Sequence, residues 1–212
     1  MGIAYIFCFS RDLNKKKIDI SGKSGDIFIA ADSGIETAFA LGAVLDVAIG
    51  DFDSANLADA RIENIKKIIH PAQKEDTDCL LAIKYALEAG YKNIAVIGGL
   101  DGRIDHTLAN LWYLKYMKKR GAVGYITNGY NKITYLENAS VKIYKNYKYV
   151  SIMPISSKIR GVKLTGFKYP LQDAEVSFEE PYTVCNEIAE NAKYGEICIS
   201  EGSALICECD DY

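Results

Sequence analysis

Residues 26–54 read DIFIAADSGIETAFALGAVLDVAIGDFDS, and this stretch decides the fold. Residues 26–31 and 45–49 are short apolar runs, the signature of strands buried on both faces of a parallel sheet. Between them, residues 33–41 have helical spacing and stop at Gly42, a residue suited to the left-handed cap after a helix. Each run ends in acid: the first at Asp32, the second in Gly50-Asp51-Phe52-Asp53-Ser54.

The same alternation extends in both directions. Residues 2–9 (GIAYIFCF) read as a first buried strand. Residues 57–68 read as an amphipathic helix with a basic end, stopped before Pro71. Thr77 is placed to cap a helix carrying Leu80, Ile83 and Leu87, which ends at Gly90. Residues 93–97 form another strand, followed by a glycine-rich turn over residues 98–102. A long helix then runs through Leu108, Leu111 and Trp112 to Lys118, Lys119 and Arg120, where basic side chains suit the helix C-terminus. From about residue 138 the pattern changes to short β-rich runs broken by Gly, Pro and polar turns. The expected fold class is α/β: a Rossmann-like parallel sheet with helices on both faces in residues 1–137, then a small β-sandwich or barrel in residues 138–212.

Composition narrows the function. The chain has 212 residues, 49% of them hydrophobic, with only four prolines, which is a folded and not a disordered composition. Its 25 Lys+Arg against 28 Asp+Glu argue against a nucleic-acid or membrane surface, since phosphate backbones are held by many cations. The acid is unevenly placed, however. Residues 32–105 hold 13 Asp/Glu against 7 Lys/Arg, a local net of -6. No apolar run reaches the roughly 18 residues of a membrane span, and the N-terminal charge follows the apolar stretch instead of preceding it. Six cysteines without a CxxC pair, and only two histidines, give no zinc pattern. Reduced thiols without an export signal point to the cytoplasm.

Ligands of open parallel sheets bind beyond the carboxyl ends of the strands. Three acidic elements fall there: Asp32, the Asp51/Asp53 pair, and Asp101/Asp105. Singly, Asp32, Asp53 and Asp105 also read as helix N-caps, and Asp78 as a first-turn acid facing the helix dipole. Together they read differently. Asp51 and Asp53 lie on one side of an extended segment, about 7 Å apart at Cα, where a cation relieves their repulsion. Oxygen ligands without His or Cys select Mg²⁺ or Mn²⁺, and Mg²⁺ commonly binds through substrate phosphates. Lys74 and Arg103 stand near these acids as candidate phosphate partners, and no GxxxxGK[ST] loop is present. The residues therefore indicate a metal-dependent nucleotide or phosphate enzyme.

Read in order, ADSG (31–34), GDFDS (50–54), KEDTD (74–78), GGLDGRIDHTLAN (98–110) and, more weakly, CNE (185–187) make the chain resemble the thiamin pyrophosphokinase family. The resemblance spans nearly the whole length. It implies transfer of the pyrophosphoryl group of ATP to the hydroxyl of thiamin, giving thiamin diphosphate and AMP. It also implies a homodimer, an ATP- and Mg²⁺-binding catalytic domain over residues 1–137, and a thiamin-binding domain over residues 138–212 that helps form a pocket at the subunit interface. By position, Asp51, Asp53 and Asp78 would hold Mg²⁺ and the ATP phosphates, with Asp32, Ser54, Lys74 and Thr77 close by. Arg103, Asp105, His106 and Asn110 would organise nucleotide and substrate, with Asp105 the preferred general base and His106 the other candidate. Cys185, Asn186 and Glu187 would form the thiamin-side motif.

The chain departs from the family pattern at four positions: Asp101 for Gly, Glu75 for Asp, Thr183 for Gly and Cys185 for Ser. The altered C-terminal motif leaves room for a pyrophosphokinase acting on another hydroxymethyl heterocycle, such as a pterin. A nucleotide-sugar transferase would use Asp51 and Asp53 but leave the TD helix and GRIDH turn unexplained. A non-catalytic nucleotide binder would leave the clustered carboxylates without a role.

Overall fold

The computed structural model describes residues 2–20, 22–52, 63, 65–71, 73 and 75–211. It divides into two compact units, Met1–Gly129 and Tyr130–Tyr212.

The first unit is built from β1 (Ile3–Phe7), β2 (Ile27–Ala31), α1 (Gly34–Ala40), β3 (Val47–Gly50), β4 (Lys66–Ile69), α2 (Asp78–Glu88), β5 (Asn93–Ile97), α3 (Ile104–Lys119) and β6 (Val123–Thr127). All strand pairs in it are parallel, in the order β4-β3-β2-β1-β5-β6. Alternate residues of the central strands face opposite sides. Tyr5, Phe7, Ala30, Ala48, Ala95 and Ile97 pack with Ile35 and Ala38 of α1 in one core cluster. The residues between them, such as Ala4, Ile6, Ile29 and Val96, are equally buried on the other side, where α2 meets β1, β2, β3 and α3. The sheet order reverses between β1 and β5. That is the switch point at which the carboxyl ends of neighbouring strands open a crevice.

Local signals act as the sequence suggests at most boundaries. Thr77 caps α2, its Oγ1 accepting the Leu80 amide at 3.3 Å. Gly42 closes α1 with φ +73°. One expectation fails. Residues 66–68, read as the basic end of a helix, lie in β4, paired with β3 from Val47↔Lys66 to Gly50↔Ile69. The backbone of β3 needs a partner on its outer side, and Lys66 and Lys67 suit the exposed edge strand that supplies it. Residues 57–62 and 64 lie outside the described residues.

The second unit contains β7 (Asn131–Glu137), β8 (Ser140–Tyr144), β9 (Tyr149–Pro154), β10 (Lys158–Thr165), β11 (Leu171–Ser177), β12 (Tyr194–Cys198) and β13 (Ser203–Cys209). β13 lies antiparallel between β7 and β9, and β11-β10-β12-β8 form a second antiparallel sheet. β7 pairs with β13 from Asn131↔Cys209 to Glu137↔Ser203, so residues 131–137 belong with the sandwich. Leu136, Ile152 and Ile206 of the first sheet meet Ile143, Val162 and Ile197 of the second in one buried cluster. The β-rich unit is thus a sandwich, each sheet supplying one apolar face.

Candidate active site

The crevice at the switch point has a volume of about 390 Å³. Its floor comes from the end of β1, where Cys8 and Phe9 follow the strand, and from Asp32 and Ser33 after β2. Thr77 and Asp78 enter from the start of α2. The turn after β5 closes the opposite side with Gly99, Asp101 and Arg103, and α3 adds His106 and Asn110.

Close packing explains two glycines, Gly34 beside this crevice and Gly99 in its lining. A Cβ on Gly34 would stand 1.9 Å from the Phe7 carbonyl oxygen, so only glycine lets α1 begin against the end of β1. A Cβ on Gly99 would stand 2.6 Å from Asn110 Nδ2, which donates to the Gly99 carbonyl at 2.9 Å. Asp32 and Phe52 hold left-handed backbone, φ +45° and +56°. Non-glycine residues in that region cost roughly 1–3 kcal/mol each and concentrate at functional sites.

Asp32 and Asp105 are not helix caps. Ser33, not Asp32, is the N-cap of α1, and Arg103, not Asp105, is that of α3. Asp105 sits one residue inside α3 and accepts from Arg103 at 3.1 Å (Nε) and 2.6 Å (Nη2) and from the His106 amide at 2.9 Å. The Arg103 hydrogen bond holds its carboxyl below the usual range. Asp105 does not line the crevice, whereas Arg103 and His106 do. Asp51 is half-buried directly after β3. Asp53, Ser54 and Lys74 lie outside the described residues.

Thr77 bonds Tyr113 of α3 across 2.9 Å, besides capping α2, and burial raises the Tyr113 hydroxyl. Cys79, next to Asp78, is buried beside Cys8. Their hydrogen bond, followed by desolvation, keeps the Cys79 thiol protonated.

Among the described residues, no group of three or more His, Cys, Asp or Glu side chains forms a protein-only metal cage. Asp32 and Asp78 line one crevice and offer carboxylate oxygens to it. That donor set suits Mg²⁺, which binds through one or two carboxylates together with substrate phosphates and water.

In the second unit, residues 183–186 run along β9. Ile152 donates to the Thr183 carbonyl at 2.9 Å, and Val150 and Asn186 exchange backbone bonds of 2.7 and 3.1 Å. Asn186 spends its amide on its own chain: Oδ1 accepts from the Tyr169 and Glu187 amides at 3.1 and 2.9 Å, and Nδ2 donates to the Tyr169 carbonyl at 2.8 Å. Glu187 pairs with Lys168 at 2.9 Å. Cys185 is exposed with φ +58°, its amide bonded to Ser151 Oγ at 3.0 Å.

Sequence reasoning assigned no role to Arg11, which also lines the crevice, and noted Asp101 only as an acid after β5 and a departure from pattern. No motif marks Arg11. Its place becomes visible only when β1 and β5 lie side by side.

The chain matches two family models: "Thiamin pyrophosphokinase, catalytic domain" over residues 21–125 and "Thiamin pyrophosphokinase, vitamin B1 binding domain" over residues 138–203. It is 30% identical to the thiamine pyrophosphokinase of Bacillus subtilis over 200 residues, covering 91% of this chain and 92% of the relative. The crystal structure of thiamine pyrophosphokinase from Bacillus subtilis superposes with a TM-score of 0.84 at 25% identity, covering 99% of both chains. That of the Geobacillus thermodenitrificans enzyme gives 0.81 at 26%, covering 100% of this chain and 98% of the other. These matches favour neither a pterin enzyme nor a nucleotide-sugar transferase. The chain belongs to the thiamin pyrophosphokinase family.

Proposed function

We propose that this chain is a thiamin pyrophosphokinase that transfers the pyrophosphoryl group of ATP to the hydroxyl of thiamin, giving thiamin diphosphate and AMP. The observation that carries this reading is the convergence of the ADSG, TD and GGLDGRIDH segments on one crevice at the switch between β1 and β5. The thiamin oxygen attacks the middle phosphorus of ATP. The bond from that phosphorus to the α,β-bridging oxygen breaks, and AMP leaves with the electron pair.

This chemistry needs positioning and charge neutralisation more than a covalent nucleophile. Asp51, Asp53 and Asp78, with Asp32 close by, would hold Mg²⁺ together with the ATP phosphates. The bound Mg²⁺ offsets the charge that develops on the phosphate oxygens. Asn110 and Gly99 fix the turn after β5, and Arg103, oriented by Asp105, presents its guanidinium at the crevice. Asp105, ionised and held by Arg103, is the carboxylate acceptor on that turn for the thiamin hydroxyl proton, and His106, which lines the crevice, is the other acceptor. Asn186 and Glu187 shape the thiamin-side motif around Tyr169 and Lys168, leaving Cys185 exposed beside it.

The enzyme is a cytoplasmic homodimer in this reading. Ile104, Leu108 and Trp112, four residues apart on α3, form an exposed apolar stripe suited to a second copy. No helix of the described residues is long and apolar enough to cross a membrane, and the cysteines are free.

The test is incubation with ATP, Mg²⁺ and thiamin, followed by separation of nucleotide products. AMP and thiamin diphosphate should form together, and only when thiamin is present. ADP as the product, or AMP formed only with a pterin, would overturn the assignment.

A further inference from the structure

The crevice holds a cation that the motifs do not mark. Arg11 lines it from the loop after β1, facing the turn after β5. Its guanidinium has no ion pair or hydrogen bond among the described residues, whereas Arg103, on the turn after β5, is already engaged twice by Asp105. An arginine whose side chain has no partner among the described residues, at a crevice lined by Asp32, Asp78 and Asp101, is placed to meet the phosphates of a bound nucleotide.

What holds the Arg11 loop in place is Asp101. Its Oδ1 accepts from Ser10 Oγ at 3.0 Å, and its Oδ2 accepts from the amides of Arg11 at 2.5 Å and Asp12 at 3.3 Å. One carboxylate from the β5 turn therefore fixes three consecutive residues of the β1 loop, about 90 positions away in the chain. The neighbouring backbone reinforces the approach: Cys8 donates to the Ile97 carbonyl at 2.8 Å, and Gly99 donates to that of Phe9 at 3.1 Å.

We propose that Arg11 grips the β- and γ-phosphates of ATP and that Asp101 is the residue that positions it. The proposal rests on the crevice being the ATP site. Asp101 contacts no phosphate itself. It spends its carboxylate on the backbone of the loop, which leaves the Arg11 side chain to reach into the crevice. Lys at position 11 keeps the charge but loses the two-pronged geometry.

The test compares binding of ATP and of AMP by calorimetry at fixed Mg²⁺, using the full chain and the variants Arg11→Met, Arg11→Lys, Asp101→Ala and the double variant. Loss of a charge-assisted contact to phosphate should weaken ATP binding by roughly 10- to 100-fold in Arg11→Met. AMP binding should change by less than about twofold, because AMP lacks the contacted groups. Arg11→Lys should recover part of the loss. Asp101→Ala should weaken ATP more than AMP, and adding it to Arg11→Met should weaken ATP no further. A merely structural Asp101 would give additive losses for both nucleotides instead. Melting temperatures of the Arg11 variants should stay within about 2 °C of wild type, as for an exposed side chain.

Unchanged ATP affinity in Arg11→Met, or equal losses for ATP and AMP, overturns the gripping role. Additive losses overturn the positioning role. Wild-type protein that binds neither nucleotide overturns the ATP-site reading along with this one. Wild-type protein that binds ATP tightly while Arg11→Met is indifferent overturns only this one.

Discussion

Asn110 Nδ2 reaches back from the second turn of α3 to the Gly99 carbonyl, 2.9 Å away, and the absent side chain of Gly99 leaves the space for it. A buried amide thus joins the helix that carries Arg103 and His106 to the turn that closes the crevice. In Asn110→Leu the carbonyl loses its donor, with an expected cost of about 1–3 kcal/mol. Asn110→Asp should cost more at neutral pH, since a carboxylate would face the carbonyl oxygen. Urea denaturation ranks the three proteins; equal midpoints would show that the bond carries no weight.

Two glycines bracket α1 and should respond unequally to alanine. At Gly34 the new methyl meets backbone at 1.9 Å, which no rotamer relieves. At Gly42 nothing lies within 4 Å, and the only penalty is a left-handed φ of +73°. The expected costs are several kcal/mol for Gly34→Ala, beyond the usual 1–3 kcal/mol of overpacking, and about 1 kcal/mol for Gly42→Ala. Equal losses in thermal unfolding would refute the close-packing account.

Removing one negative charge from the acidic motif should separate activity from stability. Asp51→Asn and Asp53→Asn are expected to lower turnover roughly 100-fold or more while the circular dichroism spectrum and melting temperature remain near wild type. Raising Mg²⁺ should restore part of the activity of either variant. Near-normal turnover in both at ordinary Mg²⁺ would remove these carboxylates from the mechanism.

Glu208 gives a pH dependence unrelated to catalysis. It is buried on β13 beside Lys132, 3.6 Å away, and desolvation raises its carboxyl despite that partner. The folded chain therefore holds the proton more tightly than the unfolded one. Stability is lost as pH climbs from the ordinary glutamate value, 4.5, through the higher folded value. Glu208→Gln should be more stable than wild type at pH 7, with the gain shrinking as pH falls toward 4. A variant less stable at pH 7 would show that the Lys132 pairing outweighs desolvation.

Much of the catalytic unit was legible because its signals are local. Apolar runs at 27–31 and 93–97, the Thr77 cap and the Gly42 stop depend on neighbours a few residues away. Residues 66–68 read as a helix end because a short run with two lysines carries no strand period of its own; they form a strand by pairing with β3. Asp105 was misread as a possible cap because the Arg103 backbone already holds that place, freeing the carboxylate for the Arg103 side chain. The Asn186 amide is committed to Tyr169, a partner that sequence spacing does not reveal.

The sequence by itself determined the alternation of strands and helices apart from β4, the parallel character of the first unit, the β-rich second unit and the acidic motifs, because each follows from side-chain period and turn chemistry over short distances. Only the tertiary structure decided that β1 and β5 lie side by side, that Asp101 fixes the loop bearing Arg11, and that Gly34 must lack a side chain. Those relations join residues about 30 to 90 positions apart. They arise from how the sheet orders its strands, and no local propensity encodes which distant carbonyl, amide or carboxylate will come within 3 Å.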